Sequence, residues 1–198
     1  MKIINCRNCK KKKLNYLFSL GNISFTGKFP KKNQKIKKAP LDLVMCNQCK
    51  LVQLSHKFNL RYLYGPDYGY RSGINSTMVN HLRKVVIQAI KKVKLKKNDM
   101  VLDIASNDAT LLNFYKKKII KYGVDPILNK YKKEYKKINY KFPKFFDYKF
   151  ILKNDPNAKF KIISALSVFY DLENPNIFLN GIRKLLDKDG IFYLEFQD

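Results

Sequence analysis

The four cysteines of this chain lie in two C-x2-C pairs within its first quarter. The first pair is Cys6 and Cys9, and the second is Cys46 and Cys49. Each pair can form a tight knuckle, and two knuckles complete the tetrahedral thiolate shell that Zn²⁺ prefers. Because protein would fill all four coordination positions, the expected zinc is structural rather than catalytic. Disulfides and bound iron are the alternatives, and two-residue spacers suit disulfides poorly.

A second group of residues that could do chemistry begins at Val101, in the sequence VLDIASNDATLL. An apolar segment, small polar residues and then Leu111 and Leu112 predict a buried strand, a sharp turn and a helix. Such a turn offers backbone N–H groups to a nucleotide-like ligand at the carboxyl end of a sheet. Asp103 lies at the end of this strand. Asp125 closes the next predicted strand, at the spacing of a ribose-binding carboxylate.

This turn contains no glycine, so the close backbone approach that binds a pyrophosphate is disfavoured. An acidic turn suits a cationic nucleoside better, and S-adenosylmethionine is the ligand we expect. The plainer alternative is a strand, a turn and a helix with an aspartate cap and no ligand.

The net charge of +26 raises the possibility of nucleic-acid binding. Of the 41 basic residues only five are arginine, the usual reader of phosphates and guanines, and the lysines are spread along the chain. We therefore expect no specific nucleic-acid partner, although charge alone supports non-specific binding at low salt. No apolar stretch is long enough to span a membrane and no secretory signal is evident, so we expect a cytoplasmic protein.

Between these two regions lies an aromatic segment, residues 62–76, that is rich in tyrosine and glycine. Tyr68, Tyr70, Arg71 and Ser72 could converge on a substrate, whereas packing between domains is the alternative. Apolar residues at helical spacing then predict a helix over Ser76–Val93, capped by Asn75 or Ser76. His81 is expected to be a surface or packing residue of that helix.

The remaining chain alternates strands and helices, which predicts an α/β fold with a mostly parallel, doubly wound sheet. A third strand and a loop are expected within Asn139–Phe150, and a buried strand over Phe160–Leu166. A helix is expected from Pro175 to about Asp189-Gly190, and a fifth strand over Ile191–Phe196. The expected domains are a zinc-binding module (1–60), an aromatic loop with a linking helix (61–97) and a Rossmann-like domain (98–198), truncated after its fifth strand.

Taken together, these motifs resemble the zinc-containing sugar C-methyltransferases. Members of that family use S-adenosylmethionine to methylate a carbon of a nucleotide-linked keto-deoxysugar. The resemblance runs from Cys6 to Asp198 and rests on several motifs in order: both cysteine pairs, PLDLVMCNQCKLVQL, DYGYRSGINSTMVNHL, VLDIASNDATLL, GVDP, VFYDLENP and DGIFYLEF. Family members are longer, so the resemblance implies a fragment whose missing C-terminal domain would cover the apolar sheet edge.

The resemblance also implies roles for individual residues. The turn after the first strand of the sheet would wrap the methionine end of the cofactor, and Asp125 would hold its ribose hydroxyls. The aromatic segment would lie over the sugar. The implied cofactor-binding residues are Asp103, Ala105, Ser106, Asn107, Asp108, Asp125, Pro126, Ser164 and Ala165, and the implied substrate-binding residues are Tyr68, Tyr70, Arg71 and Ser72.

The reaction that the resemblance implies begins when a base removes a proton from the carbon beside the sugar ketone. The chain departs from the family at the positions where this base is expected. A family histidine next to the glutamate at the end of the fifth strand is replaced, since Glu195 is followed by Phe196. A second family histidine corresponds to Asp171. The expected catalytic residues are Tyr70, Tyr193 and Glu195, and the base is left open among Glu195, Tyr193 and a residue of the missing part. There are two alternative functions. The chain could transfer a methyl group to another small molecule, or it could be a basic zinc module that binds nucleic acid.

Overall fold

The computed structural model describes residues 1–27, 30 and 32–196. Two compact units are distinguished: the first comprises Met1–Tyr70 and Glu173–Asn176, and the second comprises Arg71–Leu172 and Ile177–Asp198. The domain boundaries expected from the sequence, after residues 60 and 97, stay a prediction.

The first unit contains an antiparallel sheet of three strands in the order β1-β2-β3. The strands are β1 (Leu14–Ser24), β2 (Lys38–Cys46) and β3 (Val52–Leu54), and the short helix α1 (Leu60–Leu63) follows. The second cysteine pair connects β2 to β3, in agreement with the two short strands that the apolar sequence LDLVMCNQCKLVQL predicts on either side of it. Strand β1 was not predicted. The charged segment Lys28–Ala39, which contains Pro30 and is predicted to be a loop, lies partly outside the described residues and ends in β2.

The second unit contains a parallel sheet of five strands in the order β6-β5-β4-β7-β8. Its elements, in chain order, are α2 (Ser76–Lys92), β4 (Met100–Ile104), α3 (Thr110–Asn113), β5 (Ile120–Val124), β6 (Tyr140–Phe142), α4 (Tyr148–Asn154), β7 (Phe160–Leu166), α5 (Pro175–Leu185) and β8 (Leu186–Glu195). The first strand in sequence lies in the middle and later strands add on both sides, which is the doubly wound order. The predicted α/β, Rossmann-like fold class is confirmed.

Side chains on alternate positions of these strands face opposite sides of the sheet. Leu102, Ile104 and Ala165 belong to a buried apolar cluster with residues of α4 and α5. Asp103 and Ser164 therefore face the other side. Helix α2 is amphipathic, and its buried residues recur at helical spacing: Leu82, Val85, Val86 and Ala89.

Local details differ from the sequence expectations at two places. The third strand covers only Tyr140–Phe142, and the loop expected around Phe145–Asp147 leads into α4, a helix that was not predicted and that Asp147 caps. The last helix, α5, ends at Leu185 and β8 begins at the next residue. The predicted break near Gly190 falls within β8, where the pairing with β7 jumps from Leu186 to Ile191. Of the two caps expected for α2, the structure has Asn75, which accepts from the N–H groups of Thr77 and Met78.

Among residues 1–27, 30 and 32–196, no helix combines the length and the apolarity that a membrane crossing requires.

Candidate functional site

The four cysteine sulfurs of the first unit converge on one point. All four Sγ atoms lie within 4.8 Å of one another, and the Cys6–Cys49 and Cys9–Cys46 Sγ distances are each 3.5 Å. Sulfurs in a tetrahedral shell with zinc–sulfur bonds of about 2.3 Å lie about 3.8 Å apart, so this arrangement fits a zinc ion. The same distances are much longer than a disulfide bond, and all four cysteines are free.

The two knuckles that carry these sulfurs share one backbone pattern. The N–H of Lys10 donates to the carbonyl of Cys6, and the N–H of Lys50 donates to the carbonyl of Cys46. Lys10 and Lys50 each directly follow the second cysteine of a pair. Both have left-handed backbones, with φ of 63° and 61°. Hydrogen bonding to the Leu51 N–H lowers the pKa of Cys49 to about 6, which favours the thiolate that binds metal.

In the second unit, the carboxyl ends of β4 and β7 bring two buried polar side chains together. The Ser164 hydroxyl donates to the Asp103 carboxylate at 2.6 Å, and both residues are almost completely buried. Burial raises the pKa of Asp103 to about 7, against the lowering effect of the Ser164 hydrogen bond. Ala165 is also fully buried, but it faces the apolar cluster on the opposite side of the sheet.

The turn after β4 has an unusual backbone. Ala105, Asn107 and Ala109 all have positive φ, at 59°, 49° and 61°. A left-handed backbone favours glycine, and at position 105 the alanine side chain adds only a methyl group. Ala105 is exposed, whereas Ser106, Asn107 and Asp108 are buried. Of the predicted ligand-binding residues in this turn, only Ala105 therefore presents its side chain to solvent.

Asp125, at the end of β5, holds this turn in place. Its carboxylate accepts hydrogen bonds from the backbone N–H groups of Asn107 (2.9 Å) and Ile127 (2.8 Å). Burial raises the pKa of Asp125 to about 6, while the two N–H donors lower it. Pro126, the next predicted residue, is partly buried. The two predicted carboxylates, Asp103 and Asp125, thus end neighbouring strands, as the sequence spacing indicated.

Three residues before α2, Arg71 to Gly73, also form hydrogen bonds with the turn that follows β4. Asp108, at 1% exposure, accepts from Arg71 Nε at 3.0 Å and from the Gly73 N–H at 3.0 Å. Arg71 also contacts Glu134 through Nη2 at 2.6 Å. The Ser72 N–H donates to the Asn107 side chain at 2.9 Å. Arg71 and Ser72 therefore stabilise the turn through hydrogen bonds. Their contact with a substrate stays a prediction.

Sequence reasoning did not identify Tyr135 as a further support of the turn. Its hydroxyl lies 2.7 Å from Ser106 Oγ and donates to the Asn107 carbonyl at 3.0 Å. Tyr135 is fully buried, and burial raises its pKa well above the usual tyrosine range. It belongs to a short helical segment between β5 and β6 that carries no sequence motif, so only the folded chain reveals its role.

The predicted catalytic residues divide between the two units. Tyr70 belongs to the first unit, where its ring centroid lies 6.4 Å from that of Tyr68. Tyr193 and Glu195 lie on β8 in the second unit. The Tyr193 hydroxyl donates to the Gln88 side chain at 2.9 Å, and Glu195 contacts His81, which sequence reasoning had assigned to the surface or to packing. The roles of Tyr70, Tyr193 and Glu195 in catalysis stay predictions.

Residues 6–64, which contain the four cysteines, match the Methyltransf_13 family, described as "Putative zinc binding domain". The N-terminal module is thus similar to this zinc-binding family. The predicted structural zinc is supported both by that similarity and by the geometry of the four thiols.

One curated relative of this chain is C-methyltransferase NovU of Streptomyces niveus. The two are 30% identical over 93 residues, which are 46% of this chain and 21% of NovU. The chain thus spans about a fifth of that relative's length in the match. The resemblance to zinc-containing C-methyltransferases that the motifs indicated is confirmed as a family likeness.

Solved structures of two methyltransferases match parts of this chain. The plantazolicin methyltransferase BamL, in complex with a triazolic desmethylPZN analog and SAH, is 18% identical with a TM-score of 0.46, covering 59% of this chain and 44% of BamL. Coclaurine N-methyltransferase, bound to N-methylheliamine and SAH, is 15% identical with a TM-score of 0.45, covering 63% of this chain and 37% of that enzyme. Because both TM-scores are below 0.5, the fold class is assigned from the strand order of the sheet and not from these two structures.

Proposed function

We propose that this chain is part of an S-adenosylmethionine-dependent C-methyltransferase whose methyl acceptor is a nucleotide-linked keto-deoxysugar. The observation that carries the proposal is the pair of buried carboxylates, Asp103 and Asp125, at neighbouring strand ends on either side of the turn Ala105–Asp108. The zinc-binding module and the likeness to a C-methyltransferase support the same assignment.

The residues of the site fit the proposed cofactor by charge and by hydrogen-bonding capacity. Each oxygen of the Asp125 carboxylate accepts one backbone hydrogen bond, and a carboxylate oxygen can accept a second from a ribose hydroxyl. Asp103 provides an acceptor for a cationic group, and exposed Ala105 leaves space beside the backbone. Bound there, S-adenosylmethionine would supply the electrophilic methyl group of its sulfonium.

The chain's own task in the reaction is to take a proton from the carbon beside the sugar ketone. Glu195 is the residue we assign to this step, because its carboxylate can accept the proton, whereas the Tyr193 hydroxyl donates its own hydrogen to Gln88. The C–H bond breaks, its proton passes to the Glu195 carboxylate, and its electron pair is delocalised into the ketone as the enolate. The methyl group that the cofactor would supply is then bonded to this carbon, and S-adenosylhomocysteine would be the leaving group. Asp103 and Asp125 would meanwhile hold the cofactor in a fixed orientation.

Calorimetric titration of the zinc-loaded chain with S-adenosylhomocysteine at moderate salt tests the cofactor assignment. Saturable one-site binding is expected, whereas no binding by a folded, zinc-replete chain would contradict the proposal. A methyl-transfer assay with thymidine diphosphate 4-keto-6-deoxyglucose then tests the acceptor class. Cofactor binding without transfer to this sugar would indicate another small-molecule acceptor. Steeply salt-dependent binding to RNA without cofactor binding would favour a nucleic-acid function.

A further inference from the structure

One face of the sheet in the second unit carries a row of polar side chains at the carboxyl ends of its strands. Asp103 of β4 pairs in register with Ser164 of β7, which in turn pairs with Tyr193 of β8. Residues in register on neighbouring strands face the same side, so these three side chains share one face. Glu195 lies two residues beyond Tyr193 on the same strand and faces the same side.

Helix α2 runs along β8 on this face and contacts it at two places. Gln88 accepts the hydrogen bond from Tyr193, and His81, seven residues earlier on the helix, meets Glu195. Residues seven apart lie on one side of an α-helix, and residues two apart lie on one side of a strand. The two contacts therefore belong to one interface between α2 and β8.

The contact between His81 and Glu195 is close and involves both carboxylate oxygens. Nε2 of His81 lies 2.8 Å from one oxygen of Glu195 and 3.0 Å from the other. With its proton on Nε2, the imidazole donates to the carboxylate and restricts its rotation. Both side chains are partly exposed, at 43% and 36%, and exposed pairs of this kind contribute little to stability. Orientation of the carboxylate is thus the main physical effect of the contact.

We propose that His81 is a positioning residue that holds the Glu195 carboxylate in place to accept the substrate proton. The inference rests on the proposed function, because it takes Glu195 as the proton acceptor. His81 lies 114 residues from Glu195 in the sequence, and the fold brings its ring to the carboxylate. A fixed orientation matters because misplacing a reacting group by about 1 Å can slow a reaction about 100-fold.

The test compares His81→Ala, which removes the donor, with His81→Gln, whose side-chain amide can still donate to Glu195. Lys84→Ala, an exposed change one turn along α2, is the matched control. The readout is deuterium uptake from D2O at the carbon beside the ketone of thymidine diphosphate 4-keto-6-deoxyglucose, followed by mass spectrometry. Affinity for S-adenosylhomocysteine and the melting temperature are measured for every variant.

We expect His81→Ala to slow the exchange at least about tenfold, with unchanged S-adenosylhomocysteine affinity and a nearly unchanged melting temperature. His81→Gln should restore most of the rate, and Lys84→Ala should match the wild type. A wild-type rate in His81→Ala, or equal loss in His81→Ala and His81→Gln, would each overturn the inference. Absence of S-adenosylhomocysteine binding, or of exchange, in the wild type would instead be a failure of the proposed function.

Discussion

The backbone N–H of Asn107 donates a hydrogen bond of 2.9 Å to the Asp125 carboxylate, which ties the turn after β4 to the end of β5. The shape of the proposed cofactor site therefore depends on a residue that is also expected to contact the cofactor. A change at Asp125 should affect binding both through the lost charge and through the loosened turn.

Replacing Asp125 with Asn tests this dependence. We expect S-adenosylhomocysteine to bind at least about tenfold more weakly, because a hydrogen bond to a charged group contributes about 1.5 to 3 kcal/mol. Calorimetric titration at constant pH provides the measurement. Asp189→Asn removes a carboxylate that is 70% exposed and should leave the affinity unchanged. Equal affinities for wild type and Asp125→Asn would contradict a cofactor role for Asp125.

Stability should depend on pH through Asp103. Its pKa is raised by burial to about 7 in the folded chain, against an ordinary value of 3.8. Between these two values the folded state holds a proton that the unfolded state releases, so this group lowers the free energy of unfolding as pH rises from about 4 to about 7. Asp103→Asn should remove that decrease, as urea denaturation at pH 5 and pH 8 would show.

Asp187→Asn is the control for this measurement. The ion pair with Lys161 lowers the pKa of Asp187, so its contribution to stability is lost only at more acidic pH. The difference in stability between pH 5 and pH 8 should therefore match the wild type. If Asp103→Asn also retained the wild-type difference, ionisation of Asp103 would not be coupled to folding.

Zinc binding should require all four thiols of the N-terminal module. Replacing Cys49 with Ser leaves three sulfur ligands, so we expect the affinity for zinc to fall by about 100-fold or more. Competition with a chromophoric chelator gives the affinity, and elemental analysis should find one zinc per wild-type chain. Gln48→Ala changes an exposed side chain of the same knuckle and should retain the metal. Full zinc affinity in Cys49→Ser would exclude the four-thiolate site.

Arg71 should stabilise the second unit through its two carboxylate partners. Arg71→Ala leaves Asp108, at 1% exposure, without its cationic partner, and we expect the free energy of unfolding to fall by about 2 kcal/mol. Arg71→Lys should recover only part of this loss, since a single ammonium cannot reproduce the planar guanidinium that contacts Asp108 and Glu134. Urea denaturation measures each change.

Arg83→Ala serves as the comparison for Arg71→Ala. Arg83 is exposed, and its guanidinium carbon lies 5.1 Å from the centroid of the Phe114 ring. Its removal should cost well under 1 kcal/mol. Equal losses in Arg71→Ala and Arg83→Ala would indicate that the bridge between Asp108 and Glu134 contributes nothing specific.

The sequence by itself determined the features that depend on short spacings. Two residues between cysteines are sufficient for a knuckle, and the segment around Asp103 showed a buried strand that ends in a polar turn. The alternation of strands and helices likewise determined the parallel sheet. Strand β1 was missed, because most of its residues are exposed and its apolar side chains do not alternate.

Tertiary structure alone decided which distant side chains meet. Strand order brings β8 beside β7 and places α2 along it, so His81 reaches Glu195 across 114 residues. Arg71 likewise reaches Asp108 and Glu134, which are 37 and 63 residues away. Local spacing specifies knuckles, turns and helices because their atoms are joined by a few bonds. Contacts between separate elements depend on how the whole sheet is assembled, and no short segment of sequence records that order.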